Sequence, residues 1–321
     1  MAPKDGPPIT DIGGSRIDMT LGHQLPLAFQ AQGDFPKEVA YTAGMEKWFD
    51  IAGTSYQTAH ELEIIEQTAH HVVSEMSDGT TIIDLGAANS TKYEAYVRAF
   101  LEQGKTCTYV ALDIEHKSLV EQICRAQNRF PEIQCFGLWG SFEDGDRFYK
   151  QISGPRLFLS LGSIFFNAPD DICDDRCNEF HRHMGPGDRL IVGQDGPSGA
   201  HGAQSHASYQ TEAYSAFITQ YLKSVQQLAG VDADPKKTWS VQSKMDLSKH
   251  WFEVTTLKPL TLLNFDNYEV KAGTSYTIFP SWKRGEEEIH EVATGQDLAI
   301  RTLGKADKSG MRQYIIQSKK M

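Results

Sequence analysis

The sequence predicts an α/β chain: a doubly wound, mostly parallel sheet joined to a second α+β unit. Three observations carry that expectation. The stretch Ile82-Ile83-Asp84-Leu85-Gly86-Ala87-Ala88-Asn89-Ser90-Thr91-Lys92 is an apolar, β-branched run that ends in a glycine-centred turn and passes into a helical pattern. Downstream, Tyr109-Val110-Ala111-Leu112-Asp113 repeats the device as an apolar strand with an acid at its tip. Strand-like and helical segments then alternate across the middle of the chain, which is how βαβ units build a parallel sheet.

The elements follow in order. Residues 1–20 are rich in Gly, Pro and Asp and read as a loose arm. Residues 35–75 read as helical, with Glu61, Leu62, Ile64, Ile65 and Val72 on an amphipathic period. Strands are expected at 81–86, 108–114, 133–139, 156–163 and 188–195. Pro131, Gly154-Pro155 and Gly185-Pro186-Gly187 stand just before strands as breakers. Residues 196–208 read as a Gly/Ser/His loop and 209–228 as a helix. Alternating runs at 251–257, 274–282, 298–303 and 312–317 predict antiparallel strands with one solvated face. The expected division is a cofactor domain at 60–195 and a second α+β unit made of 1–59 and 196–321. A ligand crevice is expected at the carboxyl ends of the parallel strands, under that second unit.

Composition narrows the function. A chain of 321 residues can bury a full core. Its formal net charge of −11 argues against nucleic acid or an anionic membrane as partner. No apolar run reaches the ~20 residues of a membrane span. The polar, proline-containing N-terminus does not read as a signal peptide. The five cysteines (Cys107, Cys124, Cys135, Cys173 and Cys177) are odd in number, and no Cys/His pattern completes a zinc site. The expectation is a cytoplasmic monomer with reduced thiols, no metal and a small-molecule substrate.

The chemistry gathers at strand tips. Gly86 lets the backbone approach a ligand, and Asp113 is placed to accept hydrogen bonds from ribose hydroxyls. This spacing suits NAD as well as S-adenosylmethionine (SAM). The turn lacks the G-x-G-x-x-G cradle for a pyrophosphate, which SAM does not possess, and the reading tilts toward a SAM-dependent methyltransferase. Asp113 has a second reading as a cap of the following helix. Lys92, read as lying inside the first helix, faces either a cofactor carboxylate or solvent. After the third strand, Phe142 would stack on adenine beside Ser141, or Ser141 is simply an N-cap. Leu161-Gly162-Ser163-Ile164-Phe165-Phe166-Asn167 ends the fourth strand. Asn167 there offers its amide to an amino group or a carboxylate, or is a turn residue before Ala168-Pro169. His70, His71, His181 and His183 have no convergent acid and read as surface or core residues.

In their shared order these residues resemble the histidine N-alpha-methyltransferases of ergothioneine biosynthesis and their fungal relatives that methylate tryptophan or dimethylallyltryptophan. Tyr41 is similar to the family's N-terminal tyrosine, and Ser55-Tyr56-Gln57-Thr58-Ala59-His60-Glu61 to its Tyr-Pro-Thr-x-x-Glu segment. Asp84-Leu85-Gly86 with Lys92 resembles the first SAM loop, and Ala111-Leu112-Asp113 the ribose acid. Leu161-Gly162-Ser163 with Asn167 resembles Gly-x-Thr-Ile-Gly-Asn, and Val192-Gly193-Gln194-Asp195 the fifth strand tip. Tyr209, eight residues before Phe217, fits the substrate-carboxylate tyrosine. Ser281-Trp282-Lys283 is similar to the C-terminal Ser-x-Lys element.

The resemblance implies a Rossmann-like class I methyltransferase fold. SAM would be held at Gly86, Lys92, Asp113, Ser141, Phe142 and Ser163. The acceptor would meet Tyr41, Ser55, Tyr56, Phe166, Asn167, Tyr209, Phe279 and Ser281, with Asn167 and Tyr209 orienting its α-amino and α-carboxylate groups. In the histidine enzymes an acid two residues before the C-terminal serine receives the imidazole; that position is Phe279. A neutral ring leaves the imidazole N–H unpaired at a cost of about 1–3 kcal/mol. Packed on an indole it contributes roughly 0.5–1.5 kcal/mol beyond area burial; the other reading is that Phe279 simply joins the core of its domain. The adenine-side acid is replaced by Ser141, and the glycine before the strand-four asparagine by Phe166, which would narrow the pocket or reduce the number of methyl groups it accepts. The reading is therefore an iterative α-N-methyltransferase acting on L-tryptophan, ending at the dimethyl product, in secondary metabolism. Its rivals are a 4-dimethylallyltryptophan enzyme, a histidine enzyme disfavoured by Phe279, an inactive SAM-binding module and an NAD-linked oxidoreductase.

Overall fold

The computed structural model of the chain describes residues 7–31, 33–43, 45–197, 202–246 and 248–319. The chain opens with β1 (Ile9–Asp11), α1 (Ile17–Ala31), α2 (Glu38–Ala43), α3 (Met45–Thr54) and α4 (Tyr56–Ser74). Strands and helices then alternate. They are β2 (Thr80–Leu85), α5 (Glu94–Glu102), β3 (Cys107–Asp113), α6 (His116–Arg129), β4 (Gln134–Trp139), α7 (Phe142–Tyr149), β5 (Arg156–Ser160), α8 (Asp170–His183) and β6 (Arg189–Asp195). Next come α9 (Gly202–Ser208), α10 (Glu212–Ala229), α11 (Pro235–Thr238), β7 (Trp239–Met245), β8 (Lys249–Thr256), β9 (Leu260–Leu262), β10 (Tyr268–Val270) and β11 (Ser275–Trp282). The last elements are α12 (Glu286–Gly295), β12 (Leu298–Lys305) and β13 (Met311–Ser318).

The chain divides into two compact units. The first is Met1–Ser15, Tyr56–Ser198 and Arg284–Met321; the second is Arg16–Ser55 and Gly199–Lys283. In the first, one sheet runs in the order β1-β4-β3-β2-β5-β6-β13-β12. The strands from β1 to β6 are mutually parallel. Strand order reverses at the β2/β5 pair, the switch point where doubly wound sheets bind ligands beyond their carboxyl ends. β2 and β5 are buried along their whole length, as strands covered on both faces must be. Consecutive residues serve opposite cores. Ile82 joins Val72, Tyr96, Phe100 and Leu119, while Ile83 joins Leu112, Phe158, Cys177 and Phe180.

Two expectations are corrected. The N-terminal arm is not loose throughout, because Ile9–Asp11 pairs in parallel with Gly137–Trp139. Its glycines are packing features: a Cβ on Gly14 would strike Trp139, and one on Gly13 would strike the Asp144 carboxylate. Residues 17–31 form α1 in the second unit. The alternating runs near 298–303 and 312–317 do not join the second unit either. β13 pairs antiparallel with β6, and β12 with β13. An antiparallel pair that extends a parallel sheet carries the same alternation as a separate small sheet, so the pattern misled the boundary.

The second unit is built on the antiparallel sheet β11-β8-β7. β8 alternates half-buried and buried residues along its length. Its inner face packs with Leu21, Phe29, Phe217, Tyr221 and Tyr276. α10 starts at Thr211, whose hydroxyl accepts the Tyr214 amide at 3.3 Å, and stops at Gly230 with φ 73°. Of the loop expected at 196–208, residues 202–208 are the helix α9, while 198–201 lie outside the described residues. Among the described residues no helix is long and apolar enough to cross a membrane.

Candidate active site

In the first unit the glycine turn is locked to β3. The amides of Gly86 and Ala87 both donate to the Leu112 carbonyl, at 2.9 and 3.1 Å. The Ala88 amide donates to Asp113 Oδ2 at 2.7 Å, and the Glu115 amide to Oδ1 at 2.9 Å. Asp113 is thus a clip between two strand tips. Burial pushes its carboxyl up to about 6 against the pull of those amides. Asp84, in β2 two residues before Gly86, is pushed up to about 7 by burial and accepts the Tyr109 hydroxyl at 2.9 Å. Gly86 has φ 71°, and a Cβ there would stand 3.1 Å from Ile164 and 3.4 Å from Phe142. Glycine keeps this cradle open, and it brings Phe142 beside the turn.

Lys92 lies in the turn before α5, not inside the helix. Its Nζ stands 2.5 Å from Glu61 Oε2, and Glu61 is only 1% exposed. The Gly162 amide donates to both Glu61 oxygens at 2.9 and 3.0 Å. Glu61 thereby joins α4, the Lys92 turn and the tip of β5. Sequence reading quoted Glu61 within a motif but gave it no role. The available signal was an acid on the apolar face of a helix, beside Ile64 and Ile65.

Ser141 adopts its capping alternative. Its hydroxyl accepts the Asp144 amide at 3.2 Å, while its own amide donates to Asp144 Oδ2 at 3.2 Å, a reciprocal capping box. Ser163, at φ 59°, accepts the Asp195 amide at 2.8 Å and ties the tips of β5 and β6. Asp195 Oδ2 in turn accepts the Tyr56 hydroxyl at 2.8 Å and the Gln57 side-chain Nε2 at 2.7 Å. Asn167 is half-buried, with its backbone amide donating to Ile164 at 3.2 Å. Phe166 departs from expectation. Its ring is fully buried edge-on against Phe165, at 4.9 Å, in the aromatic core, so it presents no surface that would narrow an acceptor pocket.

In the second unit Tyr209 sits between α9 and α10, and its hydroxyl donates to Ser281 Oγ at 3.0 Å. Its ring stacks on His250 with centroids 3.6 Å apart and 9° between planes. The Lys283 ammonium stands 5.3 Å from the same ring and is 1% exposed. His250 is fully buried, with Nε2 at 2.8 Å from Ser243 Oγ. Burial, then the charges of Lys283 and His206, push its pKa down to about 3. Phe279 stands at φ 49° inside a bulge between Ile278 and Ser281. Its half-buried ring packs 4.7 Å from Tyr221 and 5.1 Å from Phe217. Ser55 is half-buried in the turn after α3. Tyr41 lies on α2, and its side chain is outside the described residues. Sequence reading missed His250 altogether, since a single histidine in an alternating strand carries no signal.

The structure thus gathers Gly86, Lys92, Asp113, Phe142 and Ser163 around the strand tips of one unit, and Tyr209, Phe279 and Ser281 around one bulge of the other. An open depression of about 380 Å3, lined by Lys150, Pro155, Arg156, Gly185 and Asp188, sits at the amino ends of β5 and β6, away from these motifs. Asp146, Glu179 and His183 bring one ligand-type atom each within 4.8 Å of one another; His183 Nε2 is 2.8 Å from Asp146 Oδ2, so this histidine does have an acid beside it, contrary to expectation.

The model of the family described as histidine-specific, SAM-dependent methyltransferases matches residues 29–318. The N-methyltransferase imqF of Aspergillus flavus is 23% identical, over 92% of this chain and 84% of its own length. The 4-dimethylallyltryptophan N-methyltransferase easF of Claviceps purpurea is 28% identical, over 50% of this chain and 49% of its own. Among solved structures, the glycopeptide N-methyltransferase MtfA complexed with S-adenosyl-L-homocysteine is 12% identical. It covers 79% of this chain and 86% of its own, with a TM-score of 0.37.

Proposed function

Because this chain belongs to the histidine-specific, SAM-dependent methyltransferase family and is a SAM-dependent N-methyltransferase, we propose that its acceptor is L-tryptophan, methylated on the α-nitrogen and carried to the dimethyl product. The observation that carries the tryptophan reading is Phe279. A ring stands two residues before Ser281, where the resemblance calls for an acid, in the same bulge as the serine that receives the Tyr209 hydroxyl, and it packs on Phe217 and Tyr221. An aromatic edge suits an indole and offers no acceptor to an imidazole N–H.

SAM fits the first unit: the Gly86 cradle is space a Cβ would fill, Phe142 offers a ring beside it, and Asp113 offers carboxylate oxygens. When bound, SAM supplies an electrophilic sulfonium methyl, whose S–C bond breaks as the N–C bond forms, leaving S-adenosylhomocysteine. The protein's share is positioning. By the resemblance, Asn167 would orient the α-amine, and Tyr209, turning its proton from Ser281, the α-carboxylate. The ammonium gives its proton to water before transfer, which frees the lone pair.

The test is product mass spectrometry after incubation with SAM and equimolar L-tryptophan, 4-dimethylallyltryptophan and L-histidine. The expected result is a gain of two methyl groups on tryptophan. A gain on histidine alone overturns the Phe279 argument. A gain on the prenylated substrate supports the second reading, favoured by relatives such as easF, in which the indole C4 side is wider.

A further inference from the structure

We propose that His250 is a positioning residue for the acceptor, acting through Tyr209: its imidazole is the plate against which the Tyr209 ring is held, so that the hydroxyl stays beside Ser281 Oγ, where it turns its proton from Ser281 to the acceptor's carboxylate while the Ser281 hydroxyl donates back to it. The inference rests on the reading that Tyr209 binds the acceptor's carboxylate.

Tyr209 lies in the connection between α9 and α10, so no regular helix or strand fixes its backbone; its ring meets Tyr214 at 5.1 Å and Phe252 at 6.4 Å, and His250 far more closely. The near-parallel stack at 3.6 Å and 9° supplies what the backbone does not, because turning the phenol ring out of plane breaks the contact. The plate is itself fixed. His250 Nε2 is 2.8 Å from Ser243 Oγ, and the ring meets Phe252 edge-on at 4.9 Å. In the β8/β11 ladder His250 pairs directly with Ser281, the residue that receives the Tyr209 hydroxyl. One strand pair therefore carries both the surface that holds the ring and the oxygen that holds its hydroxyl. Among the described residues His250 Nδ1 is buried without a hydrogen-bond partner, a desolvation cost that a leucine or phenylalanine would avoid. Burial and the Lys283 charge keep the imidazole neutral, which suits a plate in contact with a ring already approached by one ammonium. A ring fixed before binding loses less freedom when the acceptor arrives.

The experiment compares His250→Leu and His250→Phe in the full chain, using whichever of the three acceptors above the wild type methylates. His250→Leu is expected to raise acceptor KM about tenfold and leave SAM affinity within about twofold, and His250→Phe, which restores a flat ring, to recover KM to within about threefold. Unchanged acceptor KM in His250→Leu overturns the proposal, as does equal loss of both ligands or no recovery with phenylalanine. If the wild type methylates none of the three, the acceptor reading fails separately. Fluorine spectra of 3-fluorotyrosine-labelled protein then decide the stack, with Tyr209 assigned by Tyr209→Phe. A Tyr209 signal that shifts in Ser243→Ala and His250→Leu supports it. A signal unmoved in both overturns it, and Ser243→Ala serves alone if His250→Leu does not fold.

Discussion

Glu61 and Lys92 form an ion pair 2.5 Å long, with the carboxylate 1% and the lysine 13% exposed, and the same carboxylate receives the Gly162 amide through both oxygens. One acid on a helix thus fixes the two loops that flank the switch point of the sheet. Its charge is affordable only while Lys92 remains beside it.

Lys92→Met should therefore destabilise the chain by about 3–5 kcal/mol, because it strands a buried carboxylate. Adding Glu61→Gln should recover part of that loss, since a neutral amide still accepts from Gly162. Chemical denaturation of both single variants and the double variant checks this. Strictly additive losses would show that the two side chains are not coupled.

SAM affinity should weaken as pH falls below about 6. The Asp113 carboxyl is raised to about 6 by burial, and the ionised form accepts ribose hydroxyls better than the protonated form. Below that pH the group must lose a proton to bind, so affinity drops toward tenfold per pH unit; above it the dependence flattens. Calorimetry from pH 5 to 8 measures the slope, and Asp113→Asn should bind weakly with the slope removed. A wild-type affinity that is flat through pH 6 counts against Asp113 as the ribose acid.

Tyr209→Phe should weaken acceptor binding about ten- to a hundredfold, the range of about 1.5–3 kcal/mol for a hydrogen bond to a charged group. SAM affinity should hold, because the lost hydroxyl is bonded to Ser281 and is assigned, in the proposed reading, to the acceptor and not to SAM. Acceptor KM and SAM Kd, measured side by side, distinguish this from a general loss of structure.

Phe279→Glu should lower tryptophan kcat/KM and admit histidine, by removing the ring that packs near Phe217 and Tyr221 and supplying an acceptor for an imidazole N–H. Competition between the two amino acids reads the ratio directly. An unchanged ratio would place Phe279 in the core alone.

The parallel core was legible because β2, β3 and β5 are buried apolar runs ending in turn residues, and burial on both faces leaves that pattern in the sequence. The tips were legible too, since glycine at φ 71° and an acid at the end of β3 are demanded locally. What failed was long-range or depended on tertiary context. That β13 pairs with β6, that Glu61 reaches Gly162, and that His250 stacks on Tyr209 are decided by packing between distant segments. Ser141 shows the limit from the other side: a local capping box was one of two readings of the same letters, and the structure uses it.

The pairing of β13 with β6 bears on the order in which the chain acquires its form. The residues between those strands include 199–283 of the second unit, so joining them closes a very long loop. Such closure is slow while the intervening chain is unstructured, and quickens once that chain has condensed. Weakening the core around Phe217 should therefore delay docking of the β12–β13 pair while the β2–β5 region forms at its own pace.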